Sequence, residues 1–584
     1  MLPALRHMAR ATIRPAEPRL ATSGLVAAAV AIGTITFALR YLAFASFSND
    51  HFQHLARAQQ LLFGALPVRD FSEPGIPLTA ALSAAAQVLF GRGLHAEVLW
   101  IALAFAMAAV LAVPVAVRAS GSLILGLAGA GFTVVAVPAT YGYPKIFAYA
   151  ITFAVAARYA AMPTAPRLRL LAAAVVMAFL MRYDHGVILG IGVLAALVAL
   201  HQPVFSAMRA AARFIAIGLV LVSPYLVWVQ AYEGLGVHVS EARERSEREF
   251  EKANWDRPAF ALDRTRPLVQ PLLQGPEVEV RWIAWLPIPG EGLRTVQNGV
   301  AFLYYVEWLI PVLAVLLAWR NWIQLQPPVR ALIIVAITVQ FLMDWLMLRD
   351  PLRTRVRDVI APLAILLPFV AARLWQLSPR PGVRIAVRMT IIIGLAVTLW
   401  AGAAAGNLSE EVENAELLGG WQSISKRYTE FRGEFAPPND RTGRVRLPIV
   451  DYLRDCSAPT ARLFMMTFAP ELLFYTGRAF AAGHESVMPG MQYSPRQIAL
   501  MQIRLQGEDV PFVILDSETE ADLPEAYPPL NVFVQQHYRE VARFPVSGAK
   551  TWAVLATIDR SPARTYGDQA LPCFAKMSGA PAAQ

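Results

Sequence analysis

The sequence predicts an α-helical polytopic membrane protein, with about eleven to twelve spanning helices and an external C-terminal α/β domain. Three observations predict it. Hydrophobic residues make up 56% of the 584 residues and charged ones only 16%. Long apolar runs recur from residue 22 to residue 405. From Asn407 the chain turns polar and alternates strand-like with helix-like segments. A soluble globular chain carries about a quarter charged residues, so this composition excludes that class. The net charge of +10 fits basic cytoplasmic loops. No basic stretch is interleaved with aromatics, so nucleic acid is not an expected partner.

The N-terminal stretch MLPALRHMARATIRPAEPRL carries four arginines ahead of a long apolar run. That run, about 23 residues, is too long for a signal-peptide core and reads as a retained first span. A span needs roughly 17–25 apolar residues. The stretches of that kind are 22–44, 95–118, 121–138, 145–162, 168–182, 185–201, 210–232, 298–319, 329–348, 357–375 and 383–405. A twelfth, Ile76–Phe90, is short and bounded by prolines and glycines; it either lies along the membrane surface or dips into it.

Parity and charge favour eleven. With the N-terminus inside, the cytoplasmic loops hold Arg118, then Arg158, Arg167 and Arg169, then Arg209 and Arg213, then Arg320 and Arg330, then Arg373, Arg380, Arg384 and Arg388, with no acid between them. The opposite loops hold nearly all the acids: Asp50, Asp70, Glu73, the 233–297 segment and the tail after Glu410. This is a positive-inside pattern. It divides the chain into a membrane module, 1–406, with external loops at 46–94 and 233–297, and an external domain, 407–584. One loop breaks the rule: LRDPLRTRVRD, Leu348–Asp358, puts four arginines on the external side.

In the domain, ARLFMMTF, VPFVILDS, REVARFPV and KTWAVLATI read as strands, and PELLFYTGR and SPRQIALMQIRLQ as helices between them. The two cysteines, Cys456 and Cys573, both lie there; a disulfide suits an oxidising compartment, and two buried thiols are the alternative. The 233–297 segment opens with the charged helical stretch EARERSEREFEK. No Walker A, zinc spacing or G-x-S-x-G elbow occurs.

Three features gather on the external face. After the first span comes SFSNDHFQHLARAQQLLFGALPVRDFSEPGIPL, where Phe52, Leu55, Leu62 and Phe63 fall roughly on one helical face. This predicts an amphipathic helix lying on the membrane, with Asp50 at its start. An N-cap is the plainer reading of that aspartate. Ionisable residues stand near the ends of spans: Lys145, the turn Arg182, Asp184 and His185, then Glu307 and Asp344. Charges at membrane depth are costly, and they either pair between helices or line a cavity. The third feature is the arginine loop. It either pairs with Asp350, Asp358 and lipid headgroups, or it binds phosphate through Arg353, Arg355 and Arg357, for which a guanidinium fork is suited.

One span, an acid opening an interfacial helix, and LLFGALPVRDFSEPGIPL leading to a short apolar segment resemble the GT-C superfamily of membrane glycosyltransferases. The resemblance is to the branch containing the bacterial lipid A aminoarabinose transferase and the protein O-mannosyltransferases. It implies a multi-pass protein of the bacterial inner membrane, N-terminus cytoplasmic and C-terminal domain periplasmic. It further implies Asp50 as catalytic base, with His51, His54, Asp70 and Glu73 of the same loop joining the ionisable residues above as substrate-binding candidates. Asn49 and His51 flank Asp50 where a second carboxylate would stand, so a divalent cation is left unassigned. The expected reaction moves a sugar from a polyprenyl phosphate to an acceptor hydroxyl on a glycan, lipid or protein, with inversion. The competing classes are a lipid or polysaccharide transporter and a non-catalytic glycan-binding membrane protein.

Overall fold

The computed structural model describes residues 22–43, 49–136, 145–252, 296–349, 356–357, 360–377, 381–416, 419–432, 448–491, 493–547 and 550–575. Eleven of its helices occupy the apolar stretches in order: α1 Thr22–Ala43, α4 Leu94–Ser120, α5 Leu123–Val135, α6 Lys145–Ala161, α7 Ala165–Met181, α8 Tyr183–Leu200, α9 Val204–Tyr232, α11 Val296–Asn321, α12 Pro327–Arg349, α13 Leu363–Gln376 and α14 Pro381–Ala405. Among the described residues, seven helices are long and apolar enough to cross a membrane, and the chain is a multi-pass membrane protein. The tenth predicted span begins later than expected, at Leu363, because Pro362 stands at its N-cap. Proline cannot donate within a helix and marks such a start.

The bundle core is built by α6, α7, α8, α11, α12 and α13 around Tyr149, Leu171, Leu189, Leu303, Leu332 and Phe369. Small residues let the helices close up. At Gly129 of α5 an added Cβ would stand 2.3 Å from the Ala364 carbonyl oxygen of α13.

The short apolar stretch forms α3, Pro77–Phe90. At 14 residues and ~1.5 Å per residue it is too short to span. Its buried face is polar. Thr79 Oγ1 donates to Met181 O at 2.9 Å, Ser83 Oγ donates to Glu97, and Gln87 exchanges two hydrogen bonds with the backbone of Gly93. Its apolar end, Val88, Leu89 and Phe90, is exposed.

The loop helix α2, Asn49–Leu62, corrects one expectation. Phe52 and Leu55 are buried in a cluster with Leu39, Leu42 and Val98 of the bundle, and with Tyr475 of the C-terminal part. That part also grips the helix: Arg57 pairs with Glu485, Gln60 Nε2 donates to Phe480 O at 2.8 Å, and Gln59 Nε2 to Arg478 O at 2.9 Å. The helix is wedged between bundle and domain rather than laid on a bilayer, because its polar face matches free carbonyls that the loop sequence alone does not reveal.

After α14 come α15 Leu408–Ala415, α16 Trp421–Arg432 and α17 Pro448–Cys456. The α/β part follows: β1 Arg462–Met466, α18 Glu471–Thr476, β2 Ala479–Phe480, α19 Pro495–Gly507, β3 Phe512–Asp516, α20 Ser517–Ala526, α21 Pro528–His537, β4 Tyr538–Ser547, β5 Lys550–Thr557, β6 Arg564–Tyr566 and β7 Leu571–Cys573. The main sheet has the order β2-β1-β3-β5-β4. Its β2-β1-β3 half is parallel and its β3-β5-β4 half antiparallel. The parallel strands are buried on both faces, which is why LFMM and FVIL are unbroken apolar runs. All four predicted strands form. Cys456 and Cys573 are joined by a disulfide that ties the end of α17 to β7. The charged stretch lies in α10, Leu235–Lys252, whose Glu241 accepts from Arg496 at 2.9 Å and Gln497 at 3.1 Å in α19. Residues 253–295 of that segment lie outside the described residues.

Candidate active site

Three elements converge at the end of the bundle under the α/β part. The first is the turn between α7 and α8. Arg182 ends α7, and its guanidinium donates to Asp184 from Nε at 2.9 and 3.1 Å and from Nη2 at 2.9 Å. The same carboxylate accepts from the His185 amide at 2.8 Å, in the first turn of α8, where a negative charge is favourable. The second is the start of α6. Lys145 is its first residue; one turn on, the Tyr149 hydroxyl meets His185 Nδ1 and lies 3.2 Å from Met343 Sδ. Lys145 and His185 are within electrostatic reach of each other.

The third is α2. Successive helical positions turn by about 100°, so positions 50, 54 and 57 share one face, and 55, 59, 62 and 63 the opposite one. Burial holds His54 neutral, its pKa well below the ordinary histidine value, and the nearby charges of Arg57 and Arg182 add to the effect. That places the Arg182 turn opposite the face on which Asp50 falls by register. Burial likewise lowers His51 to about 3. Both imidazoles are therefore neutral at physiological pH. They can hydrogen-bond a sugar and repel no cation.

The other first-loop acids are engaged by the fold. Glu73 is buried and its carboxylate accepts from Gly75 N (3.0 and 2.9 Å), Ile76 N (2.6 Å), Tyr183 Oη (3.0 Å) and Tyr225 Oη (3.1 Å). The two tyrosine hydroxyls also meet each other, and His238 Nε2 lies 3.5 Å from Tyr183 Oη, with its Nδ1 2.5 Å from Glu233. Gly75 has φ +103°, and a Cβ there would stand 2.9 Å from the Tyr183 ring. The Glu-Pro-Gly turn is thereby clamped onto the start of α8. Asp70 accepts from Arg69 at 2.6–3.0 Å and from the Leu66 amide at 2.7 Å. Partial burial alone would raise its pKa, but these hydrogen bonds and the charges of Arg69 and Arg504 leave it below the ordinary value.

Glu307 of α11 and Asp344 of α12 are fully buried among the helices, and Gln340 Nε2 donates to Asp344 at 2.7 Å. They belong to the bundle interior. Arg353 and Arg355 lie outside the described residues. Arg357 is half-buried beside the fully buried Val356, and its Nε has no hydrogen-bond partner among the described residues.

A small apolar cavity of about 20 Å³ lies between α4, α5, α6 and α13. Its walls include Ala108, Ala112, Ile146, Tyr149, Phe153, Ala361 and Ile365. Ile146 adjoins Lys145, and Ala361 is four positions beyond Arg357. Among the described residues no group of three or more His, Cys, Asp or Glu side chains is placed to hold a metal ion.

Sequence reasoning passed over Tyr149, Tyr183 and Tyr225. The signal was present: hydroxyl-bearing aromatics inside apolar runs, beside ionisable residues, need a buried partner. Glu485 and Arg504 of the α/β part were not legible, because only the fold brings them to α2 and its loop.

No family model and no curated protein matches the chain. Solved structures similar to it include two of ArnT from Cupriavidus metallidurans. One is bound to undecaprenyl phosphate: TM-score 0.47, 14% identity, covering 92% of this chain and 99% of that one. The other, in the apo state, gives 0.45 and 15%, covering 91% and 98%.

Proposed function

We propose that the protein is an integral-membrane glycosyltransferase. It takes a sugar from a polyprenyl-phosphate donor at the outer membrane face, and residues 407–584 form a periplasmic domain bounding the acceptor site. The observation that supports this reading is the gathering of Lys145, Arg182, Asp184 and His185 at one end of the bundle, next to the Ile146 wall of the apolar cavity. A polyprenyl phosphate needs an apolar surface for its tail and fixed positive charge for its phosphate. Lys145 adds the N-terminal end of α6, a second source of positive potential.

In this mechanism the acceptor hydroxyl oxygen attacks the anomeric carbon as the bond from that carbon to the phosphate oxygen breaks. The Asp50 carboxylate takes the hydroxyl proton. The bonding electrons leave on the polyprenyl phosphate, a stable anion held by Lys145, Arg353, Arg355 and Arg357, so no general acid is required. In-line displacement inverts the anomeric centre. Arg182 is fixed by Asp184, and with His185 and the neutral His51 and His54 it lines the sugar side. Asp70 and Glu73 act through the loop they shape.

Purified protein incubated with radiolabelled polyprenyl-phosphate sugars should pass label to a polysaccharide, lipid or protein acceptor. Flux of the labelled lipid across liposomes without product would identify a transporter instead.

A further inference from the structure

One short run of the α/β part, residues 478–485, follows α18, contains β2 and holds the first loop. Gln59 and Gln60 of α2 donate to its carbonyls, and the Ser72 amide donates to Gly483 O at 3.0 Å. After β2 the chain turns through Ala482 at φ +60° and Gly483 at φ +75°. Alanine rarely occupies the left-handed region, and such outliers concentrate at functional sites. The turn is braced on both sides. The Ala482 amide donates to Glu508 Oε2 at 2.8 Å, and Arg504 Nη1 stands 1.8 Å from where a Cβ on Gly483 would be. Two positions on comes Glu485, whose carboxylate accepts from Arg57 Nη2 of α2 across 428 positions of sequence.

The pair is buried, with Arg57 8% exposed and Glu485 6%. Glu485 satisfies only part of the guanidinium: Arg57 Nε is buried and has no hydrogen-bond partner among the described residues. A buried donor left unmet is costly and asks for a partner. Arg57 shares its helix face with Asp50 and His54 by register, and both Arg57 and Arg182 act on His54 electrostatically. Charge decides which kind of atom that donor suits. Arg57 is balanced by Glu485 and Arg182 by Asp184, while His54 is neutral and Asp50 adds a negative charge. This side of the site therefore has no net attraction for a phosphate. It offers N–H donors to a neutral oxygen.

We propose that Arg57 is a specificity residue for the donor sugar, its Nε donating to one sugar hydroxyl, and that Glu485 is the positioning residue that aims it. On the glycosyltransferase reading, which this assignment takes as its basis, the α/β part thereby completes the sugar side of the site. The phosphate stays with Lys145 and the arginine loop. The competing role for the pair is a clamp between α2 and the α/β part. A buried ion-pair clamp can often be replaced by apolar side chains of similar volume at little cost in stability, whereas a sugar contact cannot.

The test uses full-length protein in detergent and two probes. Polyprenyl phosphate bearing no sugar reports binding. The polyprenyl-phosphate sugar that passes label, with its monodeoxy analogues, reports transfer. In wild type one deoxy analogue should lose about 10–100-fold in kcat/KM, the worth of a hydrogen bond from a charged donor. Arg57→Lys, which keeps the ion pair and lacks Nε, should lose that discrimination, and Glu485→Gln should weaken it. Arg57→Met with Glu485→Leu should melt near wild type and bind polyprenyl phosphate as wild type does. It should transfer the full sugar no better than the deoxy one. Wild-type transfer in that double variant would reduce the pair to a clamp. An unchanged deoxy penalty in either Arg57 variant would overturn the proposal, as would a wild type indifferent to every deoxy analogue. A wild type that neither binds polyprenyl phosphate nor passes label would overturn the glycosyltransferase reading, and this assignment with it.

Discussion

Glu73 and Arg357 are both ionisable residues on segments that the sequence pattern assigns to the external side, and their surroundings differ in kind. Glu73 has four donor groups on its carboxylate, all from this chain. Arg357 has a buried Nε with no partner among the described residues. A buried charge whose hydrogen bonds are met within the fold holds the fold together. One whose bonds are not met is held for something else. The sequence places both in the same class, as candidates for binding substrate.

The comparison can be broken by substitution. Glu73→Ala should have the largest effect on stability, about 3 kcal/mol or more, since two amides and two hydroxyls lose a buried acceptor. A thermal melt in detergent reads it, and an unchanged melting temperature would contradict the scaffold role. Glu471 sharpens the contrast. It is buried with Oε2 unpartnered among the described residues, and burial pushes its pKa up to about 7. The folded protein thus keeps a proton that the unfolded chain releases near the ordinary value, 4.5. Stability from this group is full below about pH 4.5 and declines as pH rises towards 7, by at most on the order of 3 kcal/mol. Glu471→Gln should flatten that decline and raise the melting temperature at pH 8; an unaltered profile would sink the assignment.

Arg357→Gln should leave stability unchanged and weaken donor binding roughly 10–100-fold, measured by titration with the polyprenyl-phosphate sugar. Equal loss of stability would make Arg357 a second Glu73. Smallest is Gly75→Ala, where the positive φ and the 2.9 Å approach to Tyr183 should cost about 1–3 kcal/mol. Its melt should shift in the same direction as that of Glu73→Ala and less far.

Much of the fold was legible because membrane crossing demands long apolar runs, and strands buried on both faces demand shorter ones. The eleven helices and four of the strands follow from that. β2, with two residues, is too short to leave a pattern. The placing of α2 was misjudged in part: Phe52 and Leu55 do bury an apolar face, but against helices and Tyr475, and the cover over Arg57 and Gln60 comes from residues more than 400 positions away. Within the candidate site, Lys145, Arg182, Asp184 and His185 were legible as charges in apolar context, and the structure gathers them at one end of the bundle. The tyrosines that tie them to their neighbours were not, since tyrosine is common in membrane helices and its hydroxyl partners are set by packing.

Asp50→Asn tests the central claim most directly. With donor binding and label transfer measured on the same preparation, turnover should fall ~10²–10⁴-fold, the usual worth of a general base, while donor affinity stays near wild type. Full turnover in that variant would contradict the account.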